Sequence, residues 1–101
     1  MKKTLLLAAS SFLCAAPALA DLALATSKNC MSCHAVDRKV LGPSFKDVAA
    51  KYKDDKGAAD MLAAKIMKGG SGVWGPVPMP ANNQVGEADA KKLAAWVLST
   101  K

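Results

Sequence analysis

Cys30-Met31-Ser32-Cys33-His34 is the most informative stretch of this chain of 101 residues. A third cysteine, Cys14, lies in an apolar segment near the N-terminus, and His34 is the only histidine in the sequence. Two residues separate the thiols of Cys30 and Cys33, so on a helical backbone they lie about one turn apart on the same face. The motif therefore predicts one site that uses two thiols and an adjacent imidazole.

Residues 1–20 have the pattern of a cleaved secretory signal peptide. Two lysines precede an uncharged apolar run, and Pro17-Ala18-Leu19-Ala20 is a small-residue cleavage site. The apolar run is shorter than the roughly 18 residues that a membrane span requires. We therefore expect export to the periplasm and a mature chain of residues 21–101 that forms a single domain.

The mature chain is small for a domain stabilised by an apolar core alone. Removing residues 1–20 leaves 81 residues and lowers the net charge from +6 to +4, because this segment contains two lysines and no acidic residue. Only four aromatic residues remain, and much of the apolar content is alanine, which buries little area. A bound group is expected to complete the core. No later segment is long enough for stable insertion into a membrane.

In an exported protein, the pattern C-x-x-C-H is typical of covalent haem c attachment. Two thiols one turn apart reach the two vinyl groups at one edge of a porphyrin, and the adjacent His34 becomes the proximal iron ligand. Three alternatives remain open. They are a zinc site, which lacks a second ligand cluster, a thioredoxin-like dithiol, which lacks flanking strands, and a short disulfide between Cys30 and Cys33.

Apolar residues at three- and four-residue spacing predict an all-α domain. The predicted helices cover residues 21–29, 44–53, 58–68 and 87–99. Asp21 is expected in the first turn of the first helix, where an acid favours the helix dipole. The clearest apolar stripe lies in the last helix, and its members are Ala90, Leu93, Ala94, Val97 and Leu98, with Trp96 beside them.

Residues 69–83 contain three prolines and are expected to form a long irregular loop. A haem held by His34 needs a second axial ligand or an open position, and the candidates are methionine, lysine, water or a gas. Met79 lies between two of the prolines, forty-five residues after His34, which is enough chain to reach the other face of a porphyrin. The other three methionines of the mature chain lie between the cysteines or on a predicted helix. Met79 is therefore the predicted second ligand, and the alternative is an apolar loop residue packed against the haem.

The chain resembles the short bacterial class I cytochromes c over essentially all of residues 21–101. The resemblance rests on C-M-S-C-H near the mature N-terminus, on L-G-P-S-F shortly after it, on G-V-W-G-P-V-P-M-P in the long loop, and on a last helix that contains a tryptophan. It implies about four helices around one covalently bound haem c, with the first and last helices crossing. It also implies attachment through Cys30 and Cys33 and axial ligation by His34 and Met79.

The resemblance further implies roles for residues around the haem. The carbonyl of Pro43 accepts a hydrogen bond from the ring of His34, Trp74 and Lys65 bind a haem propionate, and the amide of Asn82 lies near the sulfur of Met79. With both axial positions filled, the protein is expected to be a one-electron carrier and not an enzyme. It would shuttle electrons between a membrane cytochrome complex and a nitrite reductase or terminal oxidase.

Basic residues are expected to steer the carrier onto acidic partner proteins, and nucleic acid is not an expected partner. We expect a monomer. The competing hypothesis is a ligand-binding haem protein or weak peroxidase, in which Met79 is absent from the iron or easily displaced. Against that hypothesis, the chain has no second histidine for the distal side, and prolines on both sides of Met79 favour a fixed ligand.

Overall fold

The computed structural model describes the backbone of residues 16–101 and the side chains from residue 21 onward. Most of the predicted signal peptide, residues 1–20, lies outside this range, so its cleavage stays a prediction. The described elements are helices α1 (Ala16–Ser27), α2 (Phe45–Tyr52), α3 (Ala58–Lys68) and α4 (Glu87–Ser99), with a 3-10 turn at Cys30–Ser32 between α1 and α2. The prediction of an all-α domain with about four helices is confirmed.

Helix α1 is the element whose bounds differ most from the prediction. It begins at Ala16 instead of Asp21 and ends at Ser27. The first turn contains no acidic residue, so the predicted first-turn position of Asp21 is wrong. The reason is that the apolar and small residues on both sides of the expected cleavage point are good helix formers, and in the uncleaved chain nothing interrupts them.

Helix α2 begins where the sequence provides a cap. Ser44 has an extended backbone, and its hydroxyl accepts a hydrogen bond from the backbone N–H of Asp47 at 3.1 Å. Ser44 is almost fully buried, so this bond satisfies a polar group that water cannot reach. Backbone bonds from Phe45 to Ala35 and from Lys46 to Val36 join the start of α2 to the segment after the cysteine motif.

Helix α4 is the centre of the packing. It contacts α1, α2 and α3, and the expected contact between the first and last helices is present. Leu93 is the largest side chain that is essentially fully buried. Trp96 is itself in the core, where its ring meets Phe45 edge-on with 5.4 Å between centroids, whereas Leu98 is only half-buried. The α4 stripe is therefore rotated slightly from the predicted one toward Trp96.

The core is built mainly from small residues. The buried apolar side chains include Ala25, Ala35, Ala49, Ala58, Ala63, Ala90 and Ala94. Alanine lets the helices approach closely but removes little apolar area from water. Within residues 16–101 there is no β-strand, and no helix of this part of the chain has the length and apolar character needed to cross a bilayer.

Candidate haem-binding site

The cysteine motif folds as a tight turn immediately after α1. Asn29 enters this turn with φ of 65°, the only non-glycine residue in the described part of the chain with a left-handed backbone. The backbone N–H groups of Cys33 and His34 both donate to the carbonyl of Cys30, at 3.2 and 3.0 Å. The turn thus keeps both thiols and the imidazole on one short, hydrogen-bonded segment.

Both thiols are free and half-buried. Burial raises the pKa of the Cys30 thiol, and the neighbouring Cys33 adds to the shift in the same direction, while a backbone hydrogen bond opposes it. Because the thiolate is the reactive form of cysteine, Cys30 is held as a thiol in this apolar setting.

Two neighbours, Pro43 and Phe45, orient the imidazole of His34. Its Nδ1 lies 2.8 Å from the carbonyl oxygen of Pro43, and since a carbonyl can only accept, Nδ1–H donates. The proton on Nδ1 leaves the Nε2 lone pair free to bind a metal. Phe45 stacks on the ring with 5.0 Å between centroids and 26° between planes. The expected bond between His34 and Pro43 is present.

Gly42 is required by the close approach of the backbone to this ring. A Cβ atom built at Gly42 would lie 2.8 Å from Nδ1 of His34 and closer still to Cε1. Any side chain at this position would therefore push the imidazole out of its place between Phe45 and the backbone.

Met79 lies in the irregular loop that the prolines predicted, and its backbone is paired. Its N–H donates to the carbonyl of Gly70 at 2.7 Å, and its carbonyl accepts from the N–H of Gly70 at 3.0 Å. Gly69 ends α3 with φ of 72°, and a Cβ there would collide with the carbonyl of Met79. These two bonds hold the segment that contains Met79 against Gly70, at the start of the loop.

The predicted site residues line one cavity. Its volume is about 590 Å³, and Cys30, Cys33, His34 and Met79 all line it. The size lies within the range of about 300–1,000 Å³ that is typical of cofactor clefts. Most of the rest of the wall is apolar, with contributions from Phe45, Val48, Leu62, Leu93, Trp96 and Val97. Thiols, imidazole and thioether around an apolar cleft fit a haem c.

The other residues expected around the haem fall into two groups. Lys65 and Trp74 line the cavity, and the ammonium of Lys65 lies over Gly70, where a Cβ would meet it at 2.6 Å. The amide nitrogen of Asn82 donates to the carbonyl of Ile66 at 2.8 Å, and its expected place near the sulfur of Met79 stays a prediction. Its side chain anchors the loop to α3.

The alternatives to haem gain no support from this geometry. Cys30 and Cys33 are not joined in a disulfide. In the region from residue 16 to the C-terminus, no group of three or more histidine, cysteine or acidic side chains is arranged to hold a metal ion such as zinc.

Comparison with known proteins identifies the family. The family model "Cytochrome c" matches residues 22–101. The chain belongs to the cytochrome c family. This cytochrome is 55% identical over 94 residues to cytochrome c-552 of Nitrosomonas europaea, a match that covers 93% of this chain and 91% of the relative. It is 52% identical over 101 residues to cytochrome c-552 of Hydrogenobacter thermophilus, with both chains fully covered.

The fold of the cytochrome agrees with solved structures. The crystal structure of wild-type Nitrosomonas europaea cytochrome c552 superposes with a TM-score of 0.78 at 55% identity, covering 79% of this chain and 99% of that one. The predicted class I fold is confirmed. The cytochrome is a single-haem electron carrier, and the haem c is covalently attached through two cysteines, for which the chain provides Cys30 and Cys33.

Several residues that shape the site were not predicted as such. Gly42 and Phe45 position the histidine, but the sequence alone contained no indication that either lies against the ring of His34. Lys51 belongs to the basic residues that were expected only to steer partners, yet its ammonium lies 5.7 Å from the ring centroid of Trp74. Periodicity reports which face of a helix is buried, and it contains no information on which side chain meets a ring from another segment.

Proposed function

We propose that this cytochrome is a periplasmic one-electron carrier whose haem iron is ligated by Nε2 of His34 and the sulfur of Met79. The observation that supports it best is the single cavity that Cys30, Cys33, His34 and Met79 all line. His34 has only one ring nitrogen free for a metal, because the other donates to Pro43.

The backbone around Met79 supports the same ligation. Its N–H and carbonyl are both bonded to Gly70, so the thioether extends from a restrained segment. A thioether is a soft ligand and suits haem iron in an electron-transfer site. Trp74 and Lys65, which line the cavity, offer an indole N–H and an ammonium to the haem propionates.

Carrier function follows from this ligand set. When bound, the haem supplies one-electron exchange between ferrous and ferric iron. Two protein ligands leave no coordination position for a substrate, so the residues of this chain hold the group and restrict movement around it. His34 is fixed by Pro43 and Phe45, which keeps the ligand geometry similar in both oxidation states.

Location and partners complete the proposal. Residues 1–20 direct export and are removed after Ala20, which places the mature chain in the periplasm. With a net charge of +4 before the propionates are counted, the mature chain is steered toward acidic protein surfaces in a salt-dependent manner. Its partners are a membrane cytochrome complex as donor and a nitrite reductase or terminal oxidase as acceptor.

Spectroscopy of the protein purified from the periplasmic fraction tests the ligation. The intact mass should correspond to residues 21–101 plus one haem. The ferric protein should show a low-spin spectrum with a weak far-red sulfur-to-iron band, and the ferrous protein should not respond to carbon monoxide. In Met79→Ala the far-red band should vanish and carbon monoxide should bind. Met61→Ala, a change on α3, is the matched control and should keep the band.

Each alternative gives a different result. A high-spin wild-type spectrum, or binding of carbon monoxide by the wild type, would favour the ligand-binding haem protein. A far-red band that persists in Met79→Ala would show that another residue is the second ligand.

A further inference from the structure

We propose that Gln84 is a positioning residue for Met79, because its side chain ties the end of α1 to the loop that follows the methionine. This inference rests on the proposed ligation by His34 and Met79. Gln84 does not line the cavity, so its effect would be transmitted through the backbone.

Gln84 and Lys28 form a reciprocal pair. The side-chain nitrogen of Gln84 donates to the backbone carbonyl of Lys28 at 3.1 Å, and the ammonium of Lys28 donates to the backbone carbonyl of Gln84 at 3.2 Å. Lys28 follows α1 directly, in the region where a helix leaves carbonyl groups without partners in the chain. It also lies two residues before Cys30. The pair therefore fixes the segment from which the haem-attachment turn begins.

On its other side, Gln84 is linked to the loop behind Met79. Its side-chain nitrogen lies 3.3 Å from Oδ1 of Asn82. Both the backbone N–H and the side-chain amide of Asn82 donate to the carbonyl of Ile66, at 3.1 and 2.8 Å. Val85, the next residue after Gln84, is buried in the core. One side chain thus joins α1, the loop and, through Asn82, α3.

This arrangement restrains the methionine from the C-terminal side. Met79 is paired with Gly70 on one side, and three residues later Asn82 is bonded to α3. Displacement of Met79 from iron requires the loop to move, and Gln84 opposes that movement by holding Asn82 and Lys28 at the same time. Loss of the Gln84 side chain should raise the population of the displaced state, and an external ligand that binds this state should gain affinity in proportion.

Imidazole, which competes with methionine for ferric haem, measures that population. The ferric holoproteins of wild type, Gln84→Ala and Asn83→Ala are titrated with imidazole and followed by loss of the far-red band. Asn83 is the matched control, since it is exposed, adjacent to Gln84, and makes no side-chain hydrogen bond within the described residues. Gln84 is also exposed, so its truncation should not prevent folding. We expect the dissociation constant for imidazole to fall about fivefold in Gln84→Ala and to be unchanged in Asn83→Ala.

The outcomes distinguish the positioning role of Gln84 from the ligation by His34 and Met79, on which that role rests. A wild type without a Met79-dependent far-red band overturns the ligation and, with it, the role of Gln84. If the band is present but imidazole binds Gln84→Ala no more tightly than Asn83→Ala, the ligation stands and the positioning role is rejected. A contact that stabilised only the fold would leave imidazole affinity unchanged.

Discussion

At the scale of single residues, the imidazole of His34 shows how little freedom the site allows. Phe45 covers one face of the ring, Pro43 accepts its Nδ1 proton, and Gly42 lets the backbone pass close to its edge. A ligand that is held in this way loses less entropy on binding and stays in one tautomer. The restraint comes from one short segment, residues 42–45.

Gly42→Ala should therefore damage the site directly. The added methyl group would overlap the ring of His34, and we expect the free energy of unfolding of the holoprotein to fall by about 1–3 kcal/mol. Guanidinium unfolding of the holoprotein measures this change. Gly86→Ala is the matched control, since a Cβ at Gly86 meets no atom within 4 Å and should change stability by less than about 1 kcal/mol. Equal effects of the two changes would show that crowding of His34 is unimportant.

At the scale of elements, α2 connects the histidine side of the site to the methionine loop. Its first residue, Phe45, contacts His34, and Lys51 in its last turn lies near two aromatic rings. The ammonium of Lys51 is 5.8 Å from the ring centroid of Tyr52 and 5.7 Å from that of Trp74. The contact with Trp74 joins the end of α2 to the loop between α3 and α4.

Lys51→Gln should weaken this connection. A cation at this distance from an aromatic ring contributes about 0.5–1 kcal/mol at an exposed site, and we expect a loss of that size in the unfolding free energy of the holoprotein. Lys46→Gln removes the same charge from an exposed position on the same helix and should have a smaller effect. Denaturant titration of both variants at one ionic strength measures the difference. If the two variants lose equal stability, the effect belongs to net charge and not to the aromatic contact.

At the scale of the whole molecule, the cavity is large relative to the core that surrounds it. The cleft has a volume of about 590 Å³ and is lined by large apolar residues such as Leu93 and Trp96, whereas much of the remaining core is alanine. A cavity without a bound group lowers the free energy of unfolding in proportion to its volume. In a chain of this size that free energy is small. We therefore expect the haem to complete the hydrophobic core.

The chain without haem should consequently be largely unfolded. We expect the double variant Cys30→Ser/Cys33→Ser, purified without haem, to show little helical signal in far-ultraviolet circular dichroism and no cooperative thermal transition. The wild-type holoprotein, measured under the same conditions, should unfold cooperatively. A sharp thermal transition in the variant without haem would contradict this view of the core.

The sequence alone was sufficient to predict the helices and the candidate site residues. Helices α2, α3 and α4 lie within a residue of their predicted bounds, because capping residues, glycines and apolar spacing act locally. Cys30, Cys33 and His34 were predicted from their spacing, and Met79 from its position between prolines. The start of α1 was wrong, because helix propensity continues without a break across the predicted cleavage point.

Only the tertiary structure decided which residues of different segments meet. Three contacts join residues that are not neighbours in the chain. They are the stacking of Phe45 on His34, the pairing of Met79 with Gly70, and the contact of Gln84 with Lys28. Local patterns predict where a residue lies on its own element, whereas these contacts depend on how the elements are placed relative to one another. Long-range packing of α1, α2 and α3 on α4 sets that placement, and it depends on the sum of many weak apolar contacts.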